Sequence, residues 1–277
     1  MGQTIITHFI EGTPKGIQSL QLSNKTIMGF VIPRADTKKA KDLLSELLDT
    51  PCLYLLLDDD NEGVKPKVYI GQTDDFFSRI YSHNQTKQFW TKALVFTSQA
   101  GTLNKADILF LEYLAIQKAR EANVFDTKEN KQVPRQPKLQ RHIIDTLNDF
   151  FGDVQFIMSF IGYSVFRVAG EATDSLKLFY TKGRQSDAKG FYDENGFTVL
   201  KGSILSKETS PSFAWSEKRN KMIQEYVREE NEVLILKDDY LFSSPSTAAE
   251  FCIGSSTNGW TAWKNKDGKT LDEEYRQ

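Results

Sequence analysis

Cysteine is all but missing from this 277-residue chain: Cys52 and Cys252 are the only two, too few for a disulfide scaffold or a structural zinc site. Long apolar runs are missing too. The greasiest stretch, Leu43 to Leu57, is broken by Glu46 and Asp49 and falls short of the ~20 apolar residues that cross a bilayer. No basic region followed by an apolar block opens the sequence, so no secretory signal is read there. Ile6 stands where myristoylation of Gly2 requires Ser or Thr. These absences predict a cytoplasmic protein with no membrane partner. An excess of positive charge is also lacking, since 35 Lys and Arg face 37 Asp and Glu for a net charge of -2. The overall field therefore does not attract a polyanion, and any phosphate partner must be met by a local cluster.

What is present fits a globular protein: 39% apolar and 26% charged residues, with chain enough for one large or two ordinary domains. Ile17 to Leu22 and Ile27 to Ile32 are β-rich runs around a Ser23-Asn24 turn, and Thr37 to Leu48 has apolar residues at helical spacing. Cys52 to Leu57 reads as a strand that forms a hairpin with Lys67 to Gly71 across an acidic loop at 58–63. Asp74 and Asp75 are natural caps for a helix to about Asn84, and Trp90 to Thr97 reads as a strand. Asn104, with Asp107 three residues on, caps a long helix to about Asn123. A polar loop with Pro134 and Pro137 follows, then an amphipathic helix from about Leu139 to Phe151.

Beyond Gly152 the pieces shorten: strand-like runs at Leu176 to Thr181, Gly190 to Tyr192, Phe197 to Leu200 and Val233 to Leu236 surround a charged helix expected over Ala214 to Glu230. Ser244 with Pro245 starts a helix that Gly254 ends, Asn258-Gly259 reads as a turn, and Trp260 and Trp263 follow as core residues or a base-stacking platform. The expected organisation is an N-terminal extension (1–50), a first domain (51–160) and a C-terminal accessory α/β domain (175–277). The fold class is mixed α+β, without the alternation of a doubly wound parallel sheet.

One constellation carries chemistry. Tyr54 lies on the first hairpin strand and Tyr69-Ile70-Gly71-Gln72 on the second, while Arg79 and His83 are four apart and so share one helix face. Gly71 leaves room where a Cβ would crowd a ligand. Phenols, a guanidinium and an imidazole suit a phosphate and its attacking water. Glu112 lies along the apolar stripe of Ile108, Leu109, Ala115 and Ile116, and a buried carboxylate must neutralise, pair or hold a metal. A hard cation such as Mg²⁺ accepts one protein carboxylate plus waters and substrate phosphate. Each residue also has an ordinary alternative: the tyrosines as sheet packing, Arg79 and His83 as a solvated helix face, Glu112 in a salt bridge to Lys105 or Arg120. Lys118, Arg120, Lys128, Lys131, Arg135, Lys138, Arg141 and His142 form a moderate basic cluster that reads equally as solvated surface or as a DNA-contacting rim.

Taken together, these residues resemble the GIY-YIG nuclease superfamily. Cys52-Leu53-Tyr54 stands for the first triplet, with Cys in place of its glycine, and Tyr69-Ile70-Gly71 matches the second. Arg79, His83 and Glu112 fall at that family's spacings. The upstream stretches Glu11 to Gly16 and Ile32 to Arg34 resemble the lead-in of a bacterial branch. Val199 to Ser203, Ser243 to Ala249, Asn258 to Trp260 and Trp263 resemble the domain of unknown function that often trails such nucleases. The resemblance implies a small three-stranded antiparallel sheet flanked by helices and a divalent-metal-dependent endonuclease, with DNA as the first expectation for its substrate and RNA as a further alternative. It implies Tyr54, Tyr69, Arg79, His83 and Glu112 as catalytic residues, with Mg²⁺ or Mn²⁺ on Glu112. Gly71, Gln72, Lys105 and Asn130 are expected to contact substrate. The alternative is a nucleic-acid-binding module that has lost cleavage.

Overall fold

The computed structural model describes residues 2–58, 65–166, 177–193, 196–211 and 213–276. The acidic loop of the expected hairpin lies, after Asp58, outside the described residues. So does the expected domain boundary from 167 onward. Described residues up to 166 form one compact unit and those from 177 form a second. No helix among them is long and apolar enough to cross a membrane.

In the first unit the elements run β1 (Ile5–Phe9), β2 (Gln18–Leu22), β3 (Ile27–Pro33), α1 (Thr37–Leu48), β4 (Cys52–Leu57), β5 (Val68–Thr73), α2 (Phe76–Thr86), β6 (Lys92–Ser98), α3 (Lys105–Ala122) and α4 (Arg141–Phe160). The strands make one antiparallel sheet in the order β1-β2-β3-β6-β4-β5. All six residues of β4 are buried, which explains its unbroken apolar run: it is covered on both faces. Cys52, Tyr54 and Leu56 point into a core with Ala40 and Leu44 of α1 and Phe76, Phe77 and Ile80 of α2. Leu53, Leu55 and Leu57 point the other way, onto Phe110, Leu111 and Ala115 of α3 and Leu147, Phe151 and Ile157 of α4.

The expected three-stranded sheet is therefore corrected to six strands. β6 is buried almost throughout, so an edge position would expose unpaired backbone beside apolar side chains. β3 covers that edge along its whole length, from Ile27 opposite Ser98 to Pro33 opposite Lys92. The segment 1–50 thus contributes three strands and a helix to this unit and shares its cores.

The second unit contains β7 (Leu178–Gly183), β8 (Ser186–Asp193), β9 (Gly196–Val199), β10 (Ile204–Leu205), α5 (Ser216–Tyr226), β11 (Val227–Glu230), β12 (Val233–Leu236), β13 (Tyr240–Phe242), α6 (Pro245–Ile253), α7 (Gly259–Ala262) and α8 (Leu271–Tyr275). Its antiparallel sheet runs β11-β12-β10-β8-β9-β13, with β7 also on β8. The charged helix expected through Glu230 stops at Tyr226. Val227 to Glu230 instead pairs with Val233 to Leu236 around Asn231 and Glu232, both with positive φ (48° and 64°), as a two-residue hairpin turn requires. Asn258 is a helix cap, its side chain accepting from Trp260 N, rather than part of a free turn. A Cβ on Gly259 would lie 2.1 Å from the Pro245 carbonyl. Trp263 is core, stacked on Phe197 at 4.1 Å and donating Nε1–H to Pro245 O.

Candidate active site

The β4–β5 register sets Tyr54 opposite Gly71 and Leu56 opposite Tyr69. Alternation then points Tyr54, Gly71 and Tyr69 to the same sheet face, the one covered by α2. A Cβ on Gly71 would meet the Tyr54 hydroxyl at 2.5 Å and the Tyr69 ring at 3.0 Å, so glycine is what lets the Tyr54 ring lie across β5. Asp75 starts α2 by accepting from Ser78 N at 3.0 Å. With Phe76, Phe77 and Ile80 buried against the sheet, Arg79 and His83 come to stand one turn apart beside the two phenols.

The Tyr54 hydroxyl lies 2.8 Å from His83 Nε2, and Arg79 Nε donates to it at 3.1 Å. Arg79 Nη2 reaches the Tyr69 hydroxyl at 3.4 Å, and the Tyr69 and His83 rings meet edge-on at 4.9 Å. His83 is 5% exposed. Burial, reinforced by the charges of Arg79 and Lys87, pushes its pKa down to about 4, so the imidazole is neutral at pH 7. Arg79 fills one acceptor site of the Tyr54 oxygen, and either the Tyr54 hydroxyl or His83 Nε2 donates in the bond between them, according to the imidazole tautomer. Burial, followed by the neighbouring Tyr69, holds the Tyr54 phenol well above its ordinary pKa against the opposing pull of Arg79. Its hydrogen bonds to the two tyrosines, Tyr54 first, keep Arg79 firmly charged.

Glu112 approaches from α3, on the other sheet face. That helix is fixed by a capping box in which Asn104 accepts from Ala106 N and Asp107 N while Asp107 accepts from Asn104 N. Half-buried, Glu112 has no hydrogen bond or ion pair among the described residues. Burial lifts its pKa to about 7, and Arg79 is the charge that opposes the rise. The salt-bridge alternative fails on both partners: Lys105 pairs with Asp74 at 3.7 Å, and Arg120 donates to Asn130 O at 3.1 Å. Four of the five expected catalytic residues thus share one hydrogen-bonded cluster. Glu112 is joined to it through the field of Arg79.

The expected substrate contacts divide differently. Gly71 lies within the cluster. Gln72, half-buried opposite Leu53, faces the α3 side. Lys105 is exposed at the start of α3 and lies 3.7 Å from Asp74. Asn130 is 4% exposed, and both ends of its amide are committed to the edge strand, accepting from Ile70 N at 3.0 Å and donating to Ile70 O at 2.6 Å. It anchors β5 through its side chain.

Sequence reading missed Lys87, whose ammonium lies 4.3 Å over the Tyr69 ring and pairs with Glu129 at 2.7 Å. The signal existed: Lys87 follows His83 by four residues, extending the Arg79–His83 stripe. Arg34 was missed as well. It ties down the end of α2 by donating to Asn84 O, Gln88 O and Trp90 O, and stacks on Trp90 at 4.9 Å. No group of three or more His, Cys, Asp or Glu able to hold a metal occurs among the described residues. Cys52, fully buried with its thiol pKa pushed up by burial, is inert packing.

Comparison with known families matches residues 179–275, in the second unit, to a domain of unknown function, DUF4357. No curated protein and no solved structure matches the chain.

Proposed function

We propose that the first unit is a divalent-metal-dependent endonuclease of the GIY-YIG type, acting in the cytoplasm on phosphodiester bonds of DNA. The observation that carries this reading is the Tyr54–His83–Arg79–Tyr69 cluster, with an unpaired carboxylate within reach of the Arg79 charge. Tyr54 is fully buried and Tyr69 half-exposed, so Tyr69 is the phenol that meets the attacking water. Arg79 reaches the Tyr69 hydroxyl and Lys87 lies over its ring. Arg79, exposed on α2 and bound to both hydroxyls, also faces the charge that builds on phosphorus. Tyr54, fully buried and hydrogen-bonded to both His83 and Arg79, does not compete for that water.

Glu112 fits a hard cation that retains most of its waters: its carboxylate is half-buried, unpartnered and raised in pKa. Mg²⁺ or Mn²⁺ held there would supply positive charge to the leaving 3′ oxygen. Mg²⁺-dependent nicking of supercoiled plasmid by the wild type, reduced on the order of 10²-fold or more in Glu112→Ala, is the expected result. Equal nicking by the two proteins, or plasmid binding by the wild type without any nicking, would overturn the proposal.

A further inference from the structure

The basic residues that follow Glu112 are not one cluster but two populations. Lys118 pairs with Glu121 at 2.9 Å, Lys128 lies 3.6 Å from Asp126, and Arg120 is spent on Asn130 O. Nearer the site, Lys87 is paired with Glu129. Past Asn130 this pairing stops. Lys131, Arg135, Lys138 and Arg141 are all exposed, and none has an ion pair or side-chain hydrogen bond among the described residues. No acid occurs between Glu129 and Asp145. A chain of net charge -2 thus concentrates four uncompensated cations in eleven consecutive positions.

Two further features make this a surface and not a loose tail. Residues 131–140 have neither helix nor strand, yet Val133 and Leu139 pack onto the main core of the unit, which leaves the cations on the outer side. The segment also leaves directly from the site. Asn130 is bonded through its amide to Ile70, the residue between Tyr69 and Gly71, and through its carbonyl to Arg120. Arg141 and His142 then open α4, whose first turn has no acidic residue. Like-signed charge at the positive end of a helix does nothing for the fold.

We infer that the 131–141 segment is the track along which duplex DNA lies as it leaves the catalytic cluster, held through backbone phosphates. It rests on the nuclease reading for its partner but is a separate claim about where binding resides. Unpaired Lys and Arg are the groups that release counterions when they meet phosphates, at a cost in salt sensitivity of about 0.9 log units of affinity per log unit of salt for each contact. The already paired cations Lys118 and Lys128 would release far less.

The test is the binding of a fluorescent DNA duplex to full-length protein across a KCl series, with Glu112→Ala as parent so that cleavage does not intervene. Adding Lys131→Gln, Arg135→Gln, Lys138→Gln and Arg141→Gln is expected to lower the salt slope by roughly 3 to 4 and to weaken binding at least tenfold at low salt. Adding Lys118→Gln and Lys128→Gln is expected to leave both nearly unchanged. The charge-conserving set Lys131→Arg, Arg135→Lys, Lys138→Arg and Arg141→Lys is expected to keep the parental slope, which separates charge from any effect on folding. An unchanged slope in the four-glutamine protein, a parent that fails to bind duplex, or a parent that binds RNA more tightly than duplex DNA would each overturn the inference. Nicking by the wild type with an unchanged slope sinks the track alone, whereas a reduced slope without nicking sinks the nuclease reading alone.

Discussion

Among the acids of the first unit, Asp107 is held by the α3 cap, Glu121 by Lys118 and Glu129 by Lys87, while Glu112 is half-buried with none of these supports. That isolation makes a prediction that needs no activity assay. In the unfolded chain Glu112 ionises near its ordinary value of 4.5, and in the fold near 7. Between those values the folded state binds more protons, so stability is complete below about pH 4.5 and declines as pH rises through 7. The loss is at most about 3 kcal/mol. Without divalent cation, Glu112→Gln should match the wild type in urea unfolding at pH 4 and exceed it at pH 8. Mg²⁺ should stabilise only the wild type. A wild type that equals the variant at pH 8 without cation would show that the carboxylate is not desolvated. His83 works in the opposite direction: its pKa is depressed to about 4 in the fold, so its contribution is present above about 6.5 and is lost as pH falls through 4.

β5 decides whether the cluster exists, because it brings Tyr69 and Gly71 and is the edge strand of the sheet. Beyond β4 its backbone is held by Asn130, the side chain imitating a neighbouring strand at Ile70. Asn130→Ala would leave a buried N–H and C=O unsatisfied, which costs about 1–3 kcal/mol each. We expect a loss of stability of about 2–6 kcal/mol together with a lower nicking rate at unchanged duplex affinity. A variant as stable as the wild type would contradict the anchoring role. How much of this was legible follows from the physics of each element. α1, α2 and α3 are written locally, as apolar spacing and as the caps Asp75 and Asn104, and they appear where the sequence places them. β11 was not legible: Val227-Arg228-Glu229-Glu230 is polar enough to read as helix, and its turn uses Asn231-Glu232 instead of a glycine pair. Asn130 could be noticed but not interpreted, since its partner lies sixty residues away.

At the scale of the molecule, the two units have separate cores, and the cluster, Glu112 and the basic track all belong to the first. Its six-stranded sheet was hidden in the sequence because the β3–β6 pairing joins segments about sixty-five residues apart, and such contacts leave no local pattern. The site was more legible than the sheet, since Arg79 and His83 share a helix face by spacing alone, but its division across two faces was not. α2 carries the guanidinium on one side and α3 the carboxylate on the other, with the edge strand between them. The central claim is that groups from both faces act as one hydrolytic site, and a double-mutant cycle tests it most directly. Single-turnover plasmid nicking would be measured for the wild type, Arg79→Lys, Glu112→Gln and the double variant. We predict that each single change costs on the order of 10²-fold or more, and that the double variant falls no more than about tenfold below the worse single, as for residues that function as a unit. A double variant whose loss equals the product of the two single losses would contradict the account.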